Sequence, residues 1–342
     1  MTKYIVYSVF SILLLCTACE KTLFKLKYPD TPIGNFEALW NEFDQLYGLF
    51  ETRNVDWDEV YVEFRPQISD DMNEKALYEV LVEMLKTLDD SHAALIPVGT
   101  DFEQYIGGPG GRIDTVQDFN LEVVKENYLR EPKEAGYFML HDWIAEDVGY
   151  IHIYGFSDGE EQFAEETAIC LDALKDAKAI IIDIRGGYGG EDIAGKTIAS
   201  QFTMERRLYM TTKVKNGVGK NDFAEPEEWY IEPSGDFQYT KPVFLLTNRQ
   251  TLSARETFQL AMMTLPDITM VGDTTAGGFS NQINRELPNG WAYSLSIGDW
   301  RTPDGTSYEG RGIPPNVLIQ NKRSDLLEGK DEVLEKALEL AQ

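Results

Sequence analysis

The strongest constraint on the fold is an alternation that begins at Gly149 and runs to the C-terminus. Tyr150 to Tyr154 reads as a strand and residues 160–176 as a helix. Ala179-Ile180-Ile181-Ile182-Asp183-Ile184 is an apolar run suited to a strand buried on both faces. Residues 191–203 return to helical spacing, Val243 to Thr247 is a second buried strand, and Ser253 to Met263 is again helical. Strands alternating with helices pack as a mostly parallel sheet with helices on its faces. The expectation is an α/β core over residues 149–342, closed by an amphipathic helix at 330–341.

The chain before Gly149 is patterned differently. Asn35 is a suitable N-cap, and Phe36, Leu39, Trp40, Phe43, Leu46, Tyr47 and Phe50 then follow at helical spacing. Leu77, Val80, Leu81, Met84, Leu85 and Leu88 form a second such stripe, with Arg65-Pro66 as a break between helices. Residues 35–92 therefore read as a helical domain. Residues 93–148 read as a β-rich connecting segment, with Phe119 to Val124 and Tyr137 to Leu140 as strands and Gly107 to Gly111 as a loop.

The first residues carry a different signal. Lys3 is the only charge before Glu20, and Tyr4 to Leu15 is apolar apart from Ser8 and Ser11. A short apolar run behind a positive charge is a secretory signal and not a membrane span, which needs about 20 apolar residues. Residues 1–18 are thus expected to be a signal peptide. Ala18-Cys19 resembles the lipobox of bacterial lipoproteins, where the cysteine is acylated and becomes the mature N-terminus; Cys16 is a less usual residue at its place. Residues 19–34 would then be a tether, and the protein exported and lipid-anchored to the cell envelope. Cys170 remains as a lone thiol in a helical stretch, which leaves no intramolecular disulfide framework. The net charge of -27 argues against nucleic acid and against adsorption to an anionic membrane surface, so the lipid would be the only membrane contact.

Three segments hold the chemistry. A buried strand at Val243–Thr247 delivers a polar loop, and Ser253 opens the following helix, where the dipole and the free first-turn amides favour an anion. On this pattern alone the plainer reading is that Ser253 is an N-cap. Asp183-Ile184-Arg185-Gly186-Gly187-Tyr188-Gly189-Gly190 sets four glycines after the other buried strand, which lets backbone approach a ligand. It lacks the Lys-Ser/Thr of a P-loop and the spacing of a dinucleotide fingerprint. Leu88-Asp89-Asp90-Ser91-His92-Ala93 holds one of only three histidines. His141 and His152 lie in strand-like stretches without an evident partner. No metal-ligand spacing joins the three, so neither a metal nor another cofactor is expected.

Taken in order, Asp-Ser-His at 90–92, Asp-Ile-Arg-Gly-x-x-Gly-Gly at 183–190 and Thr-x-Ser-Ala-x-Glu at 251–256 resemble the C-terminal-processing serine peptidases, the tail-specific and tricorn-like S41 type. Val271 to Gly278, Pro303-Asp304-Gly305 and Glu309-Gly310-Arg311-Gly312-Ile313-Pro314-Pro315 match the later motifs. The resemblance implies a ClpP/crotonase-like core and cleavage of peptide bonds near the C-termini of peptides or proteins. It puts Ser253 on the nucleophile and the Ala254 amide, with an amide of Gly189 or Gly190, on the oxyanion hole. Gly278 stands where the Ser-Lys branch has its lysine. The tricorn-like branch instead matches His92 as base, Ser91 as its orienting serine and Glu309 as the acid that polarises Ser91. Residues 97–148 are too few for the PDZ domain that many members carry. Two rivals on the same core are an inactive peptide-binding lipoprotein and an esterase.

Overall fold

The computed structural model describes residues 27–342 except 116, 158 and 188, and the side chains of residues 113–115 are likewise not described. The expected signal peptide, Cys16 and Cys19 lie outside the described residues. The helical domain comprises Pro32–Leu46, Phe50–Arg53, Trp57–Phe64 and Glu74–Lys86, with a 3-10 turn at Arg65–Gln67 where the Arg65-Pro66 break was expected. Its first helix starts three residues before Asn35. Thr31 is the N-cap, its hydroxyl accepting the Gly34 N–H at 3.1 Å, and Pro32 at the first helical position has no N–H to lose. Asn35 lies inside the helix and donates back to the Thr31 carbonyl at 2.9 Å.

The strands, in chain order, are β1 (Ala94–Ile96), β2 (Tyr105–Ile106), β3 (Lys133–Glu134), β4 (Met139–Trp143), β5 (Val148–Ile153), β6 (Ala179–Asp183), β7 (Arg207–Val214), β8 (Glu227–Ile231), β9 (Val243–Thr247), β10 (Ile268–Gly272), β11 (Gln282–Glu286), β12 (Ala292–Ser296), β13 (Gly298–Arg301) and β14 (Val317–Leu318). Seven of them form the main sheet in the order β14-β10-β9-β6-β5-β4-β3, parallel from β14 to β5 and antiparallel beyond. Side-chain alternation sorts the strands between two cores. Ile180, Ile182 and Leu245 pack under helices Glu160–Ala173, Asp192–Ala199 and Ala254–Met262, while Ile181, Phe244 and Leu246 pack against the C-terminal helix Glu332–Ala341.

An antiparallel sheet, β11-β12-β1-β2, belongs to the helical domain as much as to the α/β core. Leu95, Tyr293 and Leu295 on one of its faces join Phe36, Phe43, Trp57 and Leu81 in a third core. A small sheet, β13-β7-β8, completes the strands. Residues 97–148 hold β2, a 3-10 segment, one helix, β3 and β4, and build no complete PDZ domain among the described residues.

One expected strand is a helix. Leu121–Asn127 is helical, started by Asn120, whose side chain accepts the Glu122 N–H at 3.0 Å. Val123 and Val124 are both buried, Val124 in the core against the main sheet, so packing of one helical face overrides strand propensity.

The Asp183-x-Arg185 pair serves the fold. Arg185 is fully buried between Asp183 (2.7 and 2.9 Å) and Asp331 (2.9 and 3.0 Å), and Asp331 also caps the C-terminal helix through the Leu334 N–H. Burial alone would raise the Asp183 carboxyl, but Arg185 holds it below its ordinary value. Removing one partner strands a buried charge. Asp331→Ala is therefore expected to lower stability by about 3–5 kcal/mol in urea titration, more than an exposed cap would cost.

Candidate active site

Because β6 and β9 are parallel neighbours, the loops that follow them leave the same edge of the sheet. This is where open α/β sheets place their ligands. An isolated bridge between Gly187 and Thr251 continues the pairing into both loops. Ser253 ends the second loop with φ +59° and ψ −124°. Among the described residues only Asn54 and Asp89 are other non-glycines with positive φ, and both are of the type that tolerates the left-handed helical region. Ser253 lies outside that region, at a ψ that glycine ordinarily occupies. Such strain costs on the order of 1–3 kcal/mol and persists only where the surroundings enforce it.

The surroundings do enforce it. Arg255 is buried beneath the loop and donates to the carbonyls of Ile184 (2.8 Å), Ile153 (3.2 Å) and Tyr154 (2.6 Å), joining the elbow to the ends of β5 and β6. Glu256 is fully buried on the other side. Its carboxylate receives the N–H groups of Ser253 (3.1 Å), Gly277 (2.7 Å) and Gly278 (2.8 Å) and the hydroxyl of Thr275. The glycine loop closes over the top. A Cβ on Gly189 would stand 2.5 Å from both the Ala254 nitrogen and the Ser253 Cβ, so only glycine lets the two backbones meet. The Ala254 amide is the first of its helix and has no intrahelical acceptor. It lies beside the Gly189 backbone, the neighbourhood an oxyanion requires.

The structure brings Ser91, His92, Gly189, Gly190 and Ser253 to one cavity of about 740 Å³. His92 arrives on the turn between helix Glu74–Lys86 and β1, and its carbonyl accepts the Ser294 hydroxyl at 2.7 Å, which ties it to β12. The polar face of the antiparallel sheet forms one wall. Asn284, Ser294, Ala94 and Ile106 lie in register across it. Burial lowers the His92 pKa below its ordinary value, with the Asp90 carboxylate acting upward and Arg53 downward. His92 Nδ1 is buried, which leaves Nε2 as the nitrogen available to the cavity.

Ser91 accepts the Gly110 N–H at 3.0 Å. Glu309 is not a surface acid and does not line the cavity. It is 4% exposed, paired with Arg53 of the helical domain, and accepts the Phe279 N–H. No hydrogen bond joins Glu309 to Ser91, or His92 to Ser91 or Ser253, among the described residues. Glu309 nevertheless holds the N–H of Phe279, the residue after Gly278, whose Cβ position would be 3.6 Å from the Ser91 hydroxyl. Burial pushes the Glu309 carboxyl up to about 8, with Arg53 opposing. His141 and His152 stand in β4 and β5 on the main sheet, apart from the cavity. Sequence reasoning gave no role to Arg53, Asp90, Arg255 or Glu256. Glu256 carried a signal, as the last residue of Thr-x-Ser-Ala-x-Glu, whereas nothing in the helical pattern marks Arg53.

A strained serine at the end of a parallel strand, with a histidine lining the same cavity, is an arrangement suited to serine-hydrolase chemistry. Residues 147–319 match the sequence profile of peptidase family S41, and residues 29–86 that of the tricorn protease C1 domain. A solved structure described as a candidate peptidase from Parabacteroides merdae is 32% identical, covering 91% of this chain and 97% of that one, with a TM-score of 0.79. The carboxy-terminal processing protease CtpA of Bacillus subtilis is 31% identical over 191 residues, 55% of this chain and 38% of that protein. The tricorn protease structure shares the fold at 13% identity and a TM-score of 0.51, over 91% of this chain and 36% of its own. The chain belongs to peptidase family S41, a family of serine-type peptidases. It spans well under half the length of the Bacillus relative.

Burial pushes Glu256 up to about 7 despite its four donors. A carboxyl raised above its unfolded value of about 4.3 contributes stability at low pH that is lost as pH climbs through 7. The stability gap between the native protein and Glu256→Gln should shrink by on the order of 2–3 kcal/mol between pH 5 and pH 8, measured by urea titration. A gap that widens with pH would contradict this linkage.

Proposed function

We propose that this protein hydrolyses peptide bonds through an acyl-enzyme on Ser253. The observation that carries the reading is the strained serine on an enforced elbow, facing His92 across one cavity and beside the amides of Ala254 and the Gly189-Gly190 pair. His92 Nε2 takes the hydroxyl proton as Ser253 Oγ attacks the scissile carbonyl carbon. The oxyanion develops where the Ala254 amide and one glycine amide can donate. Collapse expels the amine, which leaves with the proton from His92, and water then attacks the ester by the same route in reverse. Ser91, beside His92, and Glu309, behind Phe279, are the accessory serine and acid of this reading. Substrates are peptides or unfolded protein segments, with cleavage near a C-terminus as the names of the relatives indicate.

Fluorophosphonate labelling and a fluorogenic peptide library test the reading. Ser253→Ala should abolish labelling while the fold is retained, and His92→Ala should lower turnover by roughly 10³-fold or more. Labelling that persists in Ser253→Ala would refute the assignment. Ester turnover without peptide cleavage would show an esterase, and peptide binding without either an inactive relative.

Export and anchoring belong to the same proposal: a site for peptides on a lipid-anchored protein of the bacterial envelope, with Cys19 acylated. Mass spectrometry of the mature N-terminus should find Cys19 first and lipid-modified. An unmodified N-terminus elsewhere would remove the anchor from the proposal without touching the site.

A further inference from the structure

Behind His92 lies a group of buried polar atoms that the mechanism above does not use. Asp90 is fully buried, two residues before the histidine. Its Oδ1 accepts the His92 backbone N–H at 2.8 Å, so the carboxylate is fixed against the histidine's own residue. By distance and angle its Oδ2 is unpaired, as are His92 Nδ1, Tyr47 Oη and Arg53 Nε, with the Tyr47 hydroxyl near enough to Asp90 to interact with it as a hydrogen-bond donor. Buried polar atoms are nearly always paired, and one left alone is costly. A buried acceptor and a buried imidazole nitrogen, both unpaired and on residues already joined by the Asp90 Oδ1 bond to the His92 N–H, point to a pairing used in catalysis.

Glu309 is differently placed. One oxygen is engaged by Arg53 and the other by the Phe279 N–H. We propose that Asp90 is a further positioning residue of the site, resting on the Ser253–His92 reading. Its Oδ2 accepts the proton-bearing Nδ1 of His92. That holds the tautomer whose Nε2 is basic towards Ser253. It also stabilises the imidazolium formed when His92 takes the serine proton. Tyr47 and Arg53 face Asp90 from the helical domain, Tyr105 from β2, and Glu309 reaches it through Arg53. The helical domain thereby becomes a working wall of the site.

Asp90→Asn is the informative change. Its amide oxygen can still accept the His92 N–H, so the turn survives, but the charge is gone and an NH2 now meets Nδ1. Turnover of a fluorogenic peptide should fall roughly 10²–10⁴-fold in kcat with little change in KM. The negative charge of Asp90 raises the His92 pKa, so its loss should move the acid limb of kcat/KM to lower pH. Glu309→Gln, whose effect passes through Ser91, should leave that limb in place. A kcat within about threefold of native and an unmoved limb in Asp90→Asn would overturn the proposal. Should Asp90→Asn fail to fold, the imidazole NMR signals of the Ser253→Ala protein decide. A far-downfield Nδ1 proton, lost on acid protonation of a carboxylate, is expected, and an ordinary solvent-like Nδ1 signal would overturn the assignment. Activity that survives Ser253→Ala would instead sink the peptidase reading itself, which separates the two failures.

Discussion

Everything functional in this molecule hangs on the parallel pairing of β6 with β9. Ile180 to Asp183 lie in register with Val243 to Leu246, so the segments that follow depart together and at the same height. One is a run of glycines and the other ends in Ser253. Parallel strands are buried on both faces, which is why both strands read as unbroken apolar runs and why their ends, not their faces, are free for chemistry.

Around that edge, charge has been placed to hold backbone. Arg255 ties the elbow down to β5 and β6, and Glu256 ties it sideways to the loop after β10. A residue forced to φ +59° needs such partners, because the strain would otherwise relax by rotating the serine out of the cavity. Arg185, between Asp183 and Asp331, does the same one layer below by fixing the C-terminal helix to the end of β6. These buried ions are costly to desolvate and costly to break singly, so they favour one arrangement over its neighbours more than they add net stability.

The helical domain does more than stand beside the core. Its third hydrophobic cluster includes Leu95 and Leu295 of the sheet that walls the cavity, and its Arg53 reaches Glu309. Rotation of this domain would shift both His92 and Glu309 relative to Ser253. The geometry of the site is thus shared between two units that the sequence presents as separate.

The sequence by itself determined the α/β alternation, the buried strand Val243–Thr247 and the position of Ser253 at a helix start, because periodicity and helix termini are local properties. It misread Leu121–Asn127, where two valines spoke for a strand and burial of one face decided for a helix. The motif residues 90–92, 183–190 and 251–256 were legible in order, but order carries no distance. Only the tertiary structure decided that Glu309 is buried and held by Arg53, 256 residues away in the chain, and that Asp90 is buried against His92. An acid in a polar loop looks the same in sequence whether it faces solvent or an arginine. Its burial is set by which distant surfaces pack together, and no short stretch of sequence encodes that.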